Sequence, residues 1–198
     1  MKTIESNFIK SSLIEAQLTL QNFIDDHKNV RAIDQCIEYC LTSINNDGII
    51  LICGNGGSMC DSNHFAEELT GFFRKCRPPI RAIAMNDAAH ISCVSNDKGF
   101  DKIFSRYVEA FNSESNVLFV LSTSGNSPNV IEAVKEAKKN KMKVIGLLGK
   151  SGGKLREMVD IPIVIPAINS DRIQEIHIKI IHIIVEGIER ALFPKHYS

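Results

Sequence analysis

The sequence predicts an α/β chain: a three-layer, doubly wound parallel sheet with two helices in front of it. Two observations carry that expectation. Five short runs rich in Ile, Leu and Val, namely "IILIC" (49–53), "RAIAM" (81–85), "NVLFVLS" (116–122), "KVIGLLG" (143–149) and "IPIVIP" (161–166), are apolar on both faces, as strands covered on both sides must be. Helix-like stretches separate these runs, the alternation that builds a parallel sheet with right-handed crossovers. No linker, repeat or low-complexity segment divides the 198 residues, so residues 1–198 read as one domain with a sizeable core.

Taken in order, the first element is a helix over roughly residues 3–26, because Ile9, Leu13, Ala16, Leu20 and Phe23 recur at intervals of four and three. A second helix runs from about Val30 to Ile44 and stops at "NNDG" (45–48). No strand separates the two, so residues 1–46 form a helical preface. Its apolar stripe either packs against a partner subunit or covers the chain's own sheet; spacing does not choose. The alternating strands and helices follow from Gly48. The last helix starts near Asn169–Asp171, where Asn169 can cap it, and runs to about Leu192 before Pro194.

Charge excludes some functions. The 23 basic and 23 acidic residues give zero formal net charge, so no strong field draws the chain to nucleic acid or to an anionic membrane. "KKNKMK" (138–143) reads as a solvated helix end, without the aromatic residues on which bases stack. The first residues lack the apolar core of an export signal, and no apolar run approaches the roughly 18 residues that span a bilayer. The expected location is the cytoplasm. Cys36, Cys40, Cys53, Cys60, Cys76 and Cys93 contain no C-x-x-C pair and read as reduced thiols, mostly buried. Cys60 is a candidate nucleophile with only His64 near it in sequence.

Two strand-to-helix turns carry the chemistry. "GNGGS" (54–58) follows the first strand and "STSGNS" (122–127) the third. In a doubly wound sheet, ligands bind at the carboxyl ends of the strands. Helix N-termini there offer free N–H groups to a phosphate, and Ser122, Thr123, Ser124 and Ser127 add hydroxyl donors without fixed charge. Nucleotide fingerprints fail: G-x-G-x-x-G needs Gly where Met59 stands, and a Walker A loop ending in "GKS" (149–151) needs Gly where Val144 stands. "GKSGG" (149–153) then reads as a tight turn. Behind the first turn, His64 and Glu68 are four residues apart and share one helix face, as two metal ligands, an acid–base pair or an ordinary surface pair would. Glu67 points elsewhere. In the last helix Gln174, His177 and His182 interrupt an apolar sequence. His182, amid Ile180, Ile181, Ile183 and Ile184, is expected to be buried and to need a partner.

Read together, "CGNGGSMCDSNHFAEELTG", "SCVSNDKGF", "LSTSGNSPNVI" and "DRIQEIHIKIIHIIVE" closely resemble the phosphoheptose isomerases, of the sugar-isomerase (SIS) group of phosphosugar-binding folds. The likeness spans nearly the whole chain, and the order of its motifs is highly specific. It implies an aldose–ketose isomerase that converts sedoheptulose 7-phosphate to D-glycero-D-manno-heptose 7-phosphate. That reaction is the first step toward the heptose of lipopolysaccharide core. It also implies a homotetramer with active sites between subunits and one zinc ion per subunit. Carried over by position, Ser122, Thr123, Ser124 and Ser127 hold the phosphate, and Asn55, Gly56, Gly57 and Ser58 line the sugar site with Asn96, Asp97 and Gln174. His64, Glu68, Gln174 and His182 are the implied metal ligands; Glu68 is the implied catalytic base and His182 its acid–base partner. The chain departs from the family at Met59, where a His is usual. Gln174 and His182 are also about 12 Å apart along an ideal helix, so their joining one ion follows from the resemblance and not from spacing.

Overall fold

The structure is a computed structural model and describes residues 6–198. Helix α1 spans Ser6–Asp25 and α2 His27–Asn45. They are divided at Asp26, whose carboxylate accepts from the Lys28 N–H at 3.0 Å as an N-cap. Then come β1 (Ile50–Gly54), α3 (Gly57–Thr70), β2 (Ala82–Ala84), α4 (Ala88–Lys98), α5 (Ile103–Ala110), β3 (Val117–Ser122), α6 (Pro128–Lys139), β4 (Lys143–Gly149), β5 (Ile161–Ile165) and α7 (Ser170–Leu192). The five strands form one parallel sheet in the order β2-β1-β3-β4-β5.

Side-chain alternation along each strand makes the three layers. Ile50, Ile52, Val117, Phe119 and Leu121 face one core, with residues of α2, α3 and α7 such as Cys40, Phe65, Leu69 and Ile180. Leu51, Cys53, Leu118 and Val120 face the other, against Phe104 and Val108 of α5 and Val130 and Val134 of α6. A strand buried on both sides has no polar face to show, which is why these runs read as continuously apolar. No helix among the described residues is long and apolar enough to cross a membrane.

The strand order places the site. The chain steps from β1 out to β2, then returns across β1 to lay β3 on its other side. The switch point therefore lies between β1 and β3, and the loops leaving them turn to opposite faces and open a crevice there. Gly54 is level with Leu121 in the register, so "GNGGS" and "STSGNS" leave the sheet side by side.

Four expectations need correction. No α-helix joins β4 to β5; a single 3-10 turn, Lys154–Glu157, does so. Gly152 and Gly153, both at positive φ, fold that connection tightly enough for a short crossover. Strand β2 has only three residues instead of the five of "RAIAM". Only three of the six cysteines are buried: Cys36, Cys40 and Cys53 are, whereas Cys60, Cys76 and Cys93 are exposed. Lastly, the buried histidine of α7 is His177, not His182. The residues of α7 that face the sheet are Ile173, Ile176, His177, Ile180, Ile181 and Ile184, an i, i+3, i+4 series that His182 leaves by about 100°. His177 Nε2–H donates to the Leu148 carbonyl at 3.1 Å, and burial pushes its pKa down to about 4, which keeps it neutral at pH 7.

Helix α1 lies against α2 and α7. It buries Phe23 and half-buries Leu20, while Phe8, Ile9, Leu13, Ile14 and Leu18 stay exposed.

Candidate active site

Both loops are built by backbone needs before any ligand is considered. After β1, Asn55 and Gly56 (φ +55°) reverse the chain into α3, with the Ser58 N–H on the Asn55 carbonyl and the Met59 N–H on the Gly56 carbonyl. Gln174 of α7 presses on this turn: a Cβ at Gly57 would stand 2.6 Å from its Nε2, so a larger residue there would push the Gln174 amide aside. Gln174 Nε2 donates to the buried Ser58 Oγ at 3.3 Å. The Asn55 amide is paired in both directions, at 2.9 Å each way, with the amide of Asn129, a buried residue in the first turn of α6. That pair fastens the first loop to the helix that follows the second.

After β3, Ser122 Oγ lies 3.1 Å from Ser127 Oγ and accepts from the Gly125 N–H at 3.1 Å. Ser124 Oγ accepts from the Asn126 N–H, and Thr123 Oγ1 accepts from Ser170 Oγ at the start of α7. Gly125 has φ +64°, and a Cβ there would collide with the Gly152 carbonyl, so the β4–β5 connection lies directly on this loop. Asn126 Oδ1 accepts from the Lys154 N–H and fixes the contact. The tight "GKSGG" turn thus braces the serine loop. Helix α6 opens with Pro128, which has no N–H to satisfy, and Ser127 makes no side-chain cap; the Ser122 hydroxyl is the partner of its own.

Three ionisable groups meet between α3 and α7. His64 Nε2 is 3.2 Å from Glu68 Oε1, His182 Nε2 is 3.3 Å from His64 Nε2, and His182 Nε2 is 3.8 Å from Glu68 Oε1. Among the described residues these three form the group of His, Cys, Asp and Glu donors able to hold a metal ion. The Glu68 side chain is 14% exposed, those of His64 and His182 43% and 37%, so the carboxylate is the sheltered member and the imidazoles face the opening. Glu67 is exposed. The ring of Phe73 stacks on His182 at 5.6 Å. Burial, and then the neighbouring His64, lower the pKa of His182, with Glu68 opposing.

Not every expected residue joins. Asn96 and Asp97 are exposed near the end of α4, and their side-chain bonds are to each other and to Cys93. Gln174 is occupied with the first loop and Ser58, two turns before His182. Asn129 and Phe73 carry no signal of their own. Asn129 directly follows "GNSP", and that adjacency to the serine loop is its sole trace in the sequence.

The SIS domain family model matches residues 15–149. A phosphoheptose isomerase of Edwardsiella ictaluri is 52% identical over 187 residues, 94% of this chain and 97% of that protein. The chain belongs to the phosphoheptose isomerase family. Two solved phosphoheptose isomerases agree in fold. That of Neisseria gonorrhoeae has TM-score 0.88 and 38% identity over 94% of this chain and 99% of its own. That of Francisella tularensis has TM-score 0.90 and 35% identity over 95% and 100%.

Proposed function

We propose that the chain isomerises sedoheptulose 7-phosphate to D-glycero-D-manno-heptose 7-phosphate, the step that commits a seven-carbon sugar phosphate to lipopolysaccharide heptose. The observation that carries this reading is a sheltered carboxylate and two imidazoles beside two small-residue loops at the switch point of the sheet. Moving a carbonyl from C2 to C1 requires a proton to leave C1 and one to reach C2. Glu68 takes the C1 proton, which can exchange with solvent on the carboxyl, and delivers a proton to C2 of the enediolate; His182 moves the accompanying proton between O1 and O2. The phosphate lies in the serine loop, remote from the reacting carbons, and its binding orients them. Asn55, Gly56, Gly57, Ser58 and Gln174 line the sugar between the two ends; Asn96 and Asp97, exposed near the end of α4, stand apart from them in the single chain and would join only in the assembly proposed below. A coupled assay with sedoheptulose 7-phosphate tests the reading. Turnover of a different phosphosugar alone would change the substrate, and turnover of none would leave a binding scaffold.

The serine loop gives a separate expected result. Ser124→Ala and Ser127→Ala each remove a hydrogen bond to a charged group, worth about 1.5–3 kcal/mol, or roughly ten- to a hundredfold in affinity. KM should rise by that order with kcat much less affected, and phosphate-free sedoheptulose should be a very poor substrate. Equal activity on the two sugars contradicts the assignment of the loop.

The reading includes zinc at His64, Glu68 and His182. Tetrahedral ligation at about 2.0–2.2 Å sets neighbouring ligand atoms about 3.3–3.6 Å apart. The three donor atoms lie 3.2, 3.3 and 3.8 Å apart, and two imidazoles with one carboxylate are a donor set zinc takes. Gln174, the fourth ligand implied by the resemblance, would have to leave Ser58 to join them. Zinc bound there would act as a Lewis acid toward the substrate oxygens. A strong chelator is expected to lower the thermal midpoint, and added zinc to restore it. Elemental analysis of protein purified without chelator should find about one zinc per chain; no metal and indifference to chelation would leave His64 a polar pocket residue.

We further propose a homotetramer with the sites between subunits. Leu13 is 68% exposed and Phe8 64%, within an apolar stripe of α1 that a single chain leaves uncovered. In that assembly a second copy would close over the half-exposed imidazoles and the exposed Asn96 and Asp97. Light scattering should give about four times the 22.0 kDa chain mass; a stable 22.0 kDa species contradicts the assembly. A cytoplasmic location accords with the unbridged thiols.

A further inference from the structure

We propose that Arg77 is a positioning residue for the catalytic carboxylate, and that Tyr197, which follows α7, completes its seat. The inference rests on the role given to Glu68 above. Helices α3 and α7 run side by side in the same direction, and three contacts join them along their length. Near their starts Gln174 bonds Ser58, and midway His182 meets His64. At the far end the guanidinium of Arg77, in the segment after α3, bridges the two. The first two contacts belong to the open site. The third is closed: the side chains of Arg77 and Glu189 are both fully buried.

Arg77 directs three of its five hydrogen bonds to the end of α3. Its Nη2 donates to the carbonyl of Glu68 itself at 2.6 Å, and its Nη1 to the carbonyls of Leu69 at 2.7 Å, Gly71 at 3.1 Å and Pro78 at 3.2 Å. Its Nε donates to Glu189 Oε1 of α7 at 2.7 Å. The last carbonyls of a helix have no partner within it, and a cation at that end also meets the negative pole of the helix dipole. Glu68 lies in that last turn, since α3 ends at Thr70. The backbone that aims its carboxylate is therefore fixed from below by a buried, charged fork. Glu189 is held in turn by Tyr197, whose hydroxyl donates to Oε2 at 2.7 Å. Burial alone would raise the Glu189 pKa, but the bonds from Tyr197 and Arg77 outweigh it and hold the carboxyl below its usual range.

Seen from Glu68, the clamp sets the distance between the base on α3 and His182 on α7. Proton transfer is sensitive to such spacing, and a displacement of about 1 Å can cost roughly a hundredfold in rate. None of the hydrogen bonds of Arg77 reaches the serine loop, so phosphate binding is expected to be spared. A residue that merely stabilised the fold would lower the fraction of folded protein and leave each folded molecule as active as before.

Arg77→Ala strands the Glu189 carboxylate in the interior and is expected not to fold, so the informative variants are Arg77→Lys and Tyr197→Phe. Lysine keeps the charge without the planar fork, and phenylalanine removes one hydroxyl. Steady-state kinetics on sedoheptulose 7-phosphate, normalised to folded protein by circular dichroism, are compared with Glu68→Gln. Arg77→Lys is expected to lower kcat about ten- to a hundredfold. Tyr197→Phe should lower it severalfold, with KM little changed in both. Folded Arg77→Lys or Tyr197→Phe protein with wild-type kcat and only a lowered thermal midpoint would overturn the proposal. If Arg77→Lys does not fold, Tyr197→Phe decides alone. Wild-type activity in Glu68→Gln would instead remove the reading beneath the proposal, and the proposal with it.

Discussion

Glu68→Gln is expected to lower kcat by at least about 10²-fold, within the 10²–10⁴ range that general acid–base assistance supplies, while the fold survives. Glutamine matches glutamate in shape, and its amide oxygen can still accept from His64, whose Nε2 lies 3.2 Å from Glu68 Oε1. It cannot take a proton from carbon. Glu67 is the internal control. Adjacent residues leave a helix about 100° apart, and only Glu68 points to where His64 points. Glu67→Gln, on an exposed side chain, should therefore be a mild change. The comparison is read by coupled assay on folded protein, and near wild-type turnover by Glu68→Gln would place the base elsewhere.

The second large effect is expected at His182. It touches both partners of the cluster, and its ring is fixed by Phe73 at 5.6 Å and by the edge of His64 at 5.0 Å. His182→Gln keeps a polar side chain of similar reach but cannot shuttle a proton between O1 and O2. A kcat loss of about 10²–10⁴-fold is expected, in the same assay, with the serine loop and phosphate binding intact. A His182→Gln protein that loses only affinity, with kcat preserved, would make His182 a binding residue.

Much of the fold was legible because burial writes itself into period. The strands at 49–53, 116–122, 143–149 and 161–166 were readable as runs of branched apolar residues, and each lies within one residue of an observed strand end. Asn169 announced the start of α7 by its side chain type and sits at its N-cap position, though it makes no side-chain cap bond. What failed did so for local reasons. The β4–β5 connection looked long enough for a helix, but glycines at positive φ fold it into one 3-10 turn against the serine loop. His182 looked buried because the isoleucines around it form a nearly unbroken run, which hides helical phase; the series from Ile173 to Ile184 reveals it and puts His177 inside. The exposed cysteines lie on helix faces and a loop that composition cannot orient.

The site was partly legible for the same reason. His64 and Glu68 share a face by spacing, and the structure keeps that pairing. The long-range partners were invisible from spacing. Nothing local ties Asn55 to Asn129, 74 residues away, or Arg77 to Glu189, 112 residues away. Such contacts are set by topology, by the return of β3 beside β1 and the parallel course of α3 and α7.

The central claim is that the Glu68 carboxylate removes the C1 proton of the bound ketose phosphate. Proton NMR of sedoheptulose 7-phosphate in deuterium oxide reads that step without waiting for the rest of the reaction. The account predicts that wild-type protein replaces a C1 proton with deuterium and that Glu68→Gln protein, folded and at equal concentration, does so at least about a hundredfold more slowly. Exchange at the wild-type rate in Glu68→Gln protein would contradict it.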